Sequence, residues 1–256
     1  MTTFMHTLDQ RNEPLYLFGL VCLAGGFLCL VLTRFTRATL MGANVWYKPF
    51  KFFLSTAIFV WSMAWYMAYL NDVAAVTWYS WGVIGLLGFE NLYITVQAAR
   101  GQLSHFNIST PWYAGMYRLM ALAAVATSVW TAYIGFLFFG PMVADVPLPY
   151  LWGIRLGIML FVIFSMQGLA MGARMAHTVG GTDDSPGLPV VNWSRKHGDL
   201  RISHFMGMHA LQCIPLLSVY LLNDVAVVVA TGLVYGLLTA TLFVRALRGK
   251  PLPVLS

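Results

Sequence analysis

A set of polar side chains stands inside stretches that are otherwise apolar, and any chemistry would have to use them: Lys51, Ser55, Glu90, Gln97, Arg118, Gln167, Arg174, His204, His209 and Gln212. An ionisable or amide group in hydrocarbon is costly and marks a functional position by default. Seven-residue spacing puts Glu90 with Gln97, and Gln167 with Arg174, on common helix faces, and Lys51 shares one with Ser55. These faces are expected to point inward. Counted from the expected helix ends, Glu90 and His209 both lie on the order of 14 Å deep, at ~1.5 Å per residue, which makes a Glu90–His209 contact an expectation. Such a pair could carry protons, or simply fix packing as an interhelical hydrogen bond.

The densest motif is His197-Gly-Asp199-Leu-Arg201-Ile-Ser-His204-Phe-Met-Gly-Met-His209-Ala-Leu-Gln212. His204 and His209 are five apart, about 140° around a helix, so they do not grip one metal as pairs spaced by four do. His209 shares a face with Gln212 and Phe205. His204 needs a partner of its own, for which a loop carbonyl is the plain expectation. A second motif, Gln97-Ala-Ala-Arg100-Gly-Gln-Leu-Ser-His105-Phe-Asn-Ile-Ser-Thr-Pro111, reads as a helix stop at Gly101 and a new start capped by Ser109 or Thr110. His105, His177, His204 and His209 are the candidate metal ligands. Haem b held by two of them, with Arg100, Arg174 or Arg201 meeting its propionates, is the sharpest cofactor expectation.

The elements that must position these groups are membrane helices. At 59% hydrophobic, 9% charged and a mean hydropathy of +0.72, the chain has more apolar surface than one water-soluble core can hide. Spans of the roughly 20 residues that cross a bilayer are expected at 15–35, 49–70, 74–99, 111–139, 150–176, 200–222 and 225–247. The expected fold is thus an all-α membrane protein, a seven-transmembrane-helix bundle forming a single domain over 1–256. Pro215 interrupts the sixth span and is expected to kink it. The start, Met1 to Glu13, is polar and unlike a signal peptide. Cys22, Cys29 and Cys213 all fall in apolar runs and read as small buried hydrophobes.

Charge sets the orientation. Fifteen Lys and Arg stand against nine Asp and Glu, and all the basic residues except Arg11 and Arg155 fall at one set of helix ends and loops. The positive-inside rule makes that set cytoplasmic, with the N-terminus outside and the C-terminus in the cytoplasm. A nucleic-acid partner is not expected. The longest connection, 177–199, is a cytoplasmic loop rich in Gly, Pro and acid, a linker or a lid. No internal repeat of the kind transporters use stands out, only a three-residue echo between Ser104-His-Phe and Ser203-His-Phe. Gly153, Gly157, Gly168 and Gly172 permit close helix approach, within the chain or in an oligomer.

Arg-Gly-x-x-Ser-His-Phe-Asn at 100–107 and Gly-Asp-Leu-Arg-x-x-His-Phe-x-Gly-x-His-Ala-Leu-Gln at 198–212 resemble motifs of a family of bacterial inner-membrane proteins. The resemblance implies a multi-pass protein of the cell inner membrane and no activity. The residues themselves lead to a polar, net-positive intramembrane site facing the cytoplasm, binding a small anionic ligand or cofactor, with a haem or redox protein as its specific version. An ion-coupled transporter using Glu90 and His209 is the alternative from a different class, and a membrane enzyme acting on a lipid or small molecule is the third. The last span has neither the Lys of a retinal protein nor any His.

Overall fold

The computed structural model describes residues 2–185 and 187–252. Nine helices carry these residues: α1 (Thr2–Arg11), α2 (Glu13–Phe35), α3 (Tyr47–Met67), α4 (Val73–Ala99), α5 (Pro111–Leu137), α6 (Leu148–Ser165), α7 (Gln167–Arg174), α8 (Leu200–Tyr220) and α9 (Val225–Leu247). Seven segments are long and apolar enough to cross a membrane, α6 and α7 counting as one, Leu148–Arg174. All seven expected spans are therefore present, each end within three residues of its expected place. Gly101 stops α4 at φ +63°, and Thr110 Oγ1 caps α5 by accepting from the Tyr113 amide at 3.2 Å. Helix α8 runs through Pro215 without interruption. The fifth span is instead broken at Met166, where the weak 3.4 Å bond from its amide to the Val162 carbonyl marks the joint.

The chain divides into two compact units, Met1–Thr127 and Ser128–Ser256, with α5 contributing to both. In the first, α2 packs along α3, and Gly19 admits the Trp61 ring, whose indole N–H donates to the Tyr16 carbonyl at 3.1 Å. The polar start is not loose: α1 buries Leu8 completely, and the Arg11 guanidinium lies 3.9 Å over the Trp65 ring while donating to the Trp65 carbonyl. Tyr93, Ile94 and Met120 form a core between α4 and the start of α5, with Phe52, Phe89 and Met116 around it.

In the second unit, α6 packs along α8, and α9 covers both. Gly153 and Gly157 put α6 directly against Pro215 and Ser218 of α8, so these glycines serve contact within the chain. The core is Leu156, Leu160, Phe164, Ala210, Ile214 and Val228. Arg155 repeats the device of Arg11: it stacks on Phe139 and Trp152 and donates twice to the Phe138 carbonyl, at 2.8 and 3.0 Å.

That likeness is one of several, and together they show that α2–α3–α4 and α6/α7–α8–α9 are two copies of one three-helix pattern. Tyr16-Leu-Phe-Gly-Leu20 near the start of α2 matches Tyr150-Leu-Trp-Gly-Ile154 near the start of α6. The link to the second helix carries a two-stranded antiparallel hairpin in each copy, at Thr39–Leu40 with Ala43–Asn44 and at Thr178–Val179 with Gly198–Asp199. Helices α3 and α8 both have 21 residues. Leu70-Asn-Asp-Val-Ala-Ala-Val76 then recurs as Leu222-Asn-Asp-Val-Ala-Val-Val228. Its Asp caps the third helix both times, Asp72 accepting from Ala75 N at 2.9 Å and Asp224 from Val227 N at 3.1 Å. The third helices also end alike, Val96-Gln-Ala-Ala-Arg-Gly101 against Val244-Arg-Ala-Leu-Arg-Gly249. Both glycines are left-handed (φ +63° and +71°), and the next amide reaches back to close the same C-terminal turn, Gln102 N to Gln97 O at 2.8 Å and Lys250 N to Arg245 O at 3.2 Å. The repeat missed by the sequence reading is thus strongest at helix ends, where caps demand particular residues, and weak in between, where any apolar residue suffices.

Candidate functional site

The copies differ in length within their third helices: α4 has 27 residues and α9 has 23. Gly85-Leu-Leu matches Gly236-Leu-Leu. Beyond that match the first copy runs Gly-Phe-Glu90-Asn91-Leu-Tyr93-Ile-Thr, and the second has the shorter, carboxylate-free Thr-Ala-Thr-Leu-Phe. This extra stretch holds a concentration of unsatisfied polarity. Glu90, Asn91 and Tyr93 are 6%, 3% and 9% exposed, and Glu90 Oε1, Asn91 Oδ1 and the Tyr93 hydroxyl have no hydrogen-bond partner among the described residues. Buried polar atoms are nearly always paired, so three orphans within one turn are exceptional. The amide nitrogen of Asn91 is engaged, donating to Thr56 Oγ1 on α3 and to the Leu87 carbonyl, both at 3.0 Å.

One turn on, Gln97 is 1% exposed and donates to the Leu103 carbonyl at 3.1 Å, which also receives Asn107 Nδ2. Glu90 and Gln97 therefore share an inward face, as their spacing indicates. Gln97 is occupied in holding the 100–110 loop against α4. In that loop His105 Nδ1 accepts from Lys48 Nζ at 3.1 Å, and its ring packs on Phe52. Lys51 is half-buried on α3, whereas Arg100 and Arg118 are exposed.

The candidate residues of the second unit are each tied up. Gln167 accepts from Ser203 Oγ at 2.9 Å. His204 Nδ1 lies 2.9 Å from the Phe164 carbonyl, not from a loop carbonyl; the acceptor is a helix carbonyl beside the Met166 joint. His209 Nδ1 lies 3.1 Å from Gln212 Oε1, with the Phe205 ring 4.2 Å from its own, so this shared face is as expected. Asp199, 2% exposed, receives the Arg201 side chain at 2.6 and 2.9 Å and caps α8. Arg201 also donates to the Asn192 carbonyl. Gln167 and Arg174 stand at the two ends of one face of α7, but only Gln167 is buried; Arg174, next to the left-handed Met175, is exposed, so the expected inward face does not extend to it. In the long loop, Asp183 accepts from the His177 ring at 2.8 Å and from the His177 and Thr178 amides. Burial would raise the Asp183 carboxyl, but these hydrogen bonds outweigh it and hold it well below the usual carboxylate range.

No family of known sequence pattern, curated protein or solved structure matches this chain. Function must therefore be read from the residues. Among the described residues, no group of three or more His, Cys, Asp or Glu converges as metal ligands would. His105 belongs to the first unit, and His177, His204 and His209 to the second. Sequence reading missed Asn91 and Tyr93. The criterion that selected Gln97, an amide inside an apolar span, applies equally to Asn91.

Proposed function

We propose that this protein is a cation-coupled transporter of the bacterial inner membrane, with its N-terminus outside and its C-terminus in the cytoplasm, in which Glu90 takes up and releases the coupling cation. The observation that carries this reading is the Glu90 carboxyl, buried in a membrane helix with an oxygen that nothing among the described residues satisfies. An unpaired carboxylate cannot remain charged in hydrocarbon without a counter-ion, so it must hold a proton or another cation whenever it is sealed from water. The duplicated three-helix pattern supports the transporter class, because many such folds are built from repeats, including repeats of parallel orientation. The orientation is supported by the Lys and Arg distribution, which leaves only Arg11 and Arg155 on the opposite side. An anion or haem site draws less support. Arg201 is committed to Asp199, His204 to the Phe164 carbonyl and His209 to Gln212.

The test is flux. Proteoliposomes loaded with a pH dye or a sodium dye are challenged with a panel of sugars, amino acids and organic anions. A solute that drives cation movement through the native protein and not through Glu90→Gln supports the reading, while equal coupled flux through both forms overturns it. A C-terminal fluorescent protein that matures in the cytoplasm checks the orientation.

A further inference from the structure

We infer that the basic end of the first unit, where α4 stops and α3 and α5 start, binds the phosphate of an anionic phospholipid headgroup. The two copies carry the same hairpin into their second helices but differ there by one charge. In the second, Thr178 pairs with Asp199, whose Oδ1 accepts from the amide two residues on, Arg201 N, at 3.0 Å. In the first, Thr39 pairs with Asn44, whose Oδ1 accepts from Trp46 N, also at 3.0 Å. A neutral amide thus stands where the second copy has a carboxylate, and no nearby acid replaces it. Between residues 14 and 127 the acids are Asp72, the cap at the opposite end of α4, and Glu90, inside that helix. The basic end gathers Arg34, Arg37, Lys48, Lys51, Arg100 and Arg118, whereas the second unit sets Asp183, Asp184 and Asp199 among its own Lys and Arg. The positive-inside rule applies to both units alike, so it accounts for the cations of each and not for the missing anion of one.

The cations belong to a built site. Lys48 Nζ donates to His105 Nδ1 at 3.1 Å, and a ring nitrogen that accepts leaves the charge of the lysine uncancelled. The His105 ring lies 5.6 Å from that of Phe52, which packs against the core of Tyr93, Ile94 and Met120. In that core the Tyr93 hydroxyl is buried, has no hydrogen-bond partner among the described residues, and lies within electrostatic reach of the Arg100 guanidinium and the Tyr113 phenol. Arg100 repels a cation and attracts an anion. An oxyanion drawn to it supplies the acceptor that the Tyr93 hydroxyl lacks, and phosphate oxygens accept from several donors at once. Trp112, 68% exposed in the first turn of α5, places this end at headgroup level, where lipid phosphate is the anion at hand. The site is independent of the coupling role of Glu90.

The full-length protein in a neutral detergent, unfolded by heat and followed by tryptophan fluorescence, tests the site when phosphatidylglycerol, phosphatidylcholine or inorganic phosphate is added at constant ionic strength. A ligand that binds only the folded state raises the midpoint with its concentration. The expected result is a rise with phosphatidylglycerol well above that with phosphatidylcholine. Arg100→Gln and Tyr93→Phe should each need about tenfold more phosphatidylglycerol for the same rise, the scale of one lost hydrogen bond to a charged group. Arg248→Gln, at the matching position of the second copy, removes the same charge and should leave the requirement unchanged. Both Arg100 and Arg248 are exposed, and Tyr93→Phe preserves the ring, so all three variants keep the packing of the fold. A native protein that responds equally to both lipids overturns the site, as does one that responds to neither. Arg248→Gln shifting the requirement as far as Arg100→Gln reduces the effect to net charge and also overturns it. Stabilisation by inorganic phosphate at concentrations no higher than those of phosphatidylglycerol assigns the site to a free anion and overturns the lipid.

Discussion

Among the described residues, the second three-helix copy has resolved its buried polar groups and the first has not. Gln167 meets Ser203, Asp199 meets Arg201, and His204 meets a carbonyl. In the first copy Asn12 meets Ser80, and Gln97 meets Leu103. Glu90, Asn91 and Tyr93 nonetheless keep atoms that nothing in the described chain satisfies. The same architecture and the same caps could therefore have closed the first copy as completely, and the unpaired groups lie in the stretch where the two differ. The lesson is that polarity in a membrane helix is not by itself the signal. Unspent polarity is.

The comparison breaks most decisively at Glu90. Glu90→Gln should abolish cation-coupled flux while Gln212→Ala and His209→Ala, polar changes on α8 of the second unit, leave coupling in place; loss of coupling from His209→Ala would favour the expected Glu90–His209 proton pair. Next in size is a matched pair of packing changes. Gly19→Val and Gly153→Val occupy the same position of the two copies and should each lower stability by about 1–3 kcal/mol or more, as overpacking does, seen as a fall in the thermal midpoint or in folded yield. If only one of them does so, the copies are not equivalent there.

A smaller loss, about 1–3 kcal/mol for stranding a buried acceptor, is expected of Ser203→Ala, which removes the donor to Gln167, with cation-coupled flux unchanged. The smallest effect concerns the 177–199 loop. The Asp183 carboxyl is depressed in the folded state, so its stabilising contribution is full above the ordinary carboxylate value, about 3.9. It is lost as pH falls from there toward the lower folded value. Proteolysis within 180–190 should stay slow from pH 8 to 5, and Asp183→Asn should make it fast throughout that range; unchanged cleavage of the variant would show that the clasp does not hold the loop.

Spans were legible because twenty apolar residues between Pro, Gly, Asp and Arg have few other solutions. Gly101, Thr110 and the His209–Gln212 face were legible for local reasons, since caps and helix periodicity depend on near neighbours. The Met166 joint was not, because no Pro announces it, the nearby Gly168 reads equally well as a packing residue, and the His204 bond that accompanies it comes from 40 residues away. Helix α1 escaped notice because its anchor, the Trp65 ring under Arg11, is remote in sequence. The duplication was legible in Leu-Asn-Asp-Val-Ala, written twice, but the unequal first links, 36–46 against 175–199, hide the alignment. The Glu90 site was half legible: burial of the acid followed from its span, but which neighbouring atoms would be left unpaired required knowing that Asn91 turns its nitrogen to Thr56 and Leu87.

The four-residue excess of α4 over α9 has a consequence for how the two copies could diverge at all. One of the four falls before the Gly85-Leu-Leu match and three beyond it; together they are slightly more than one turn, so the C-terminal end of the helix is rotated by only about 40° relative to the cap. Arg100 and Gly101 thus keep nearly the bearing from Asp72 that Arg248 and Gly249 have from Asp224. An insertion of two residues would have swung the same stop signal to the opposite side of the helix and torn the following chain from its path. A whole turn is the smallest increment by which a membrane helix can acquire a new polar step and still hand the chain on in nearly the same direction.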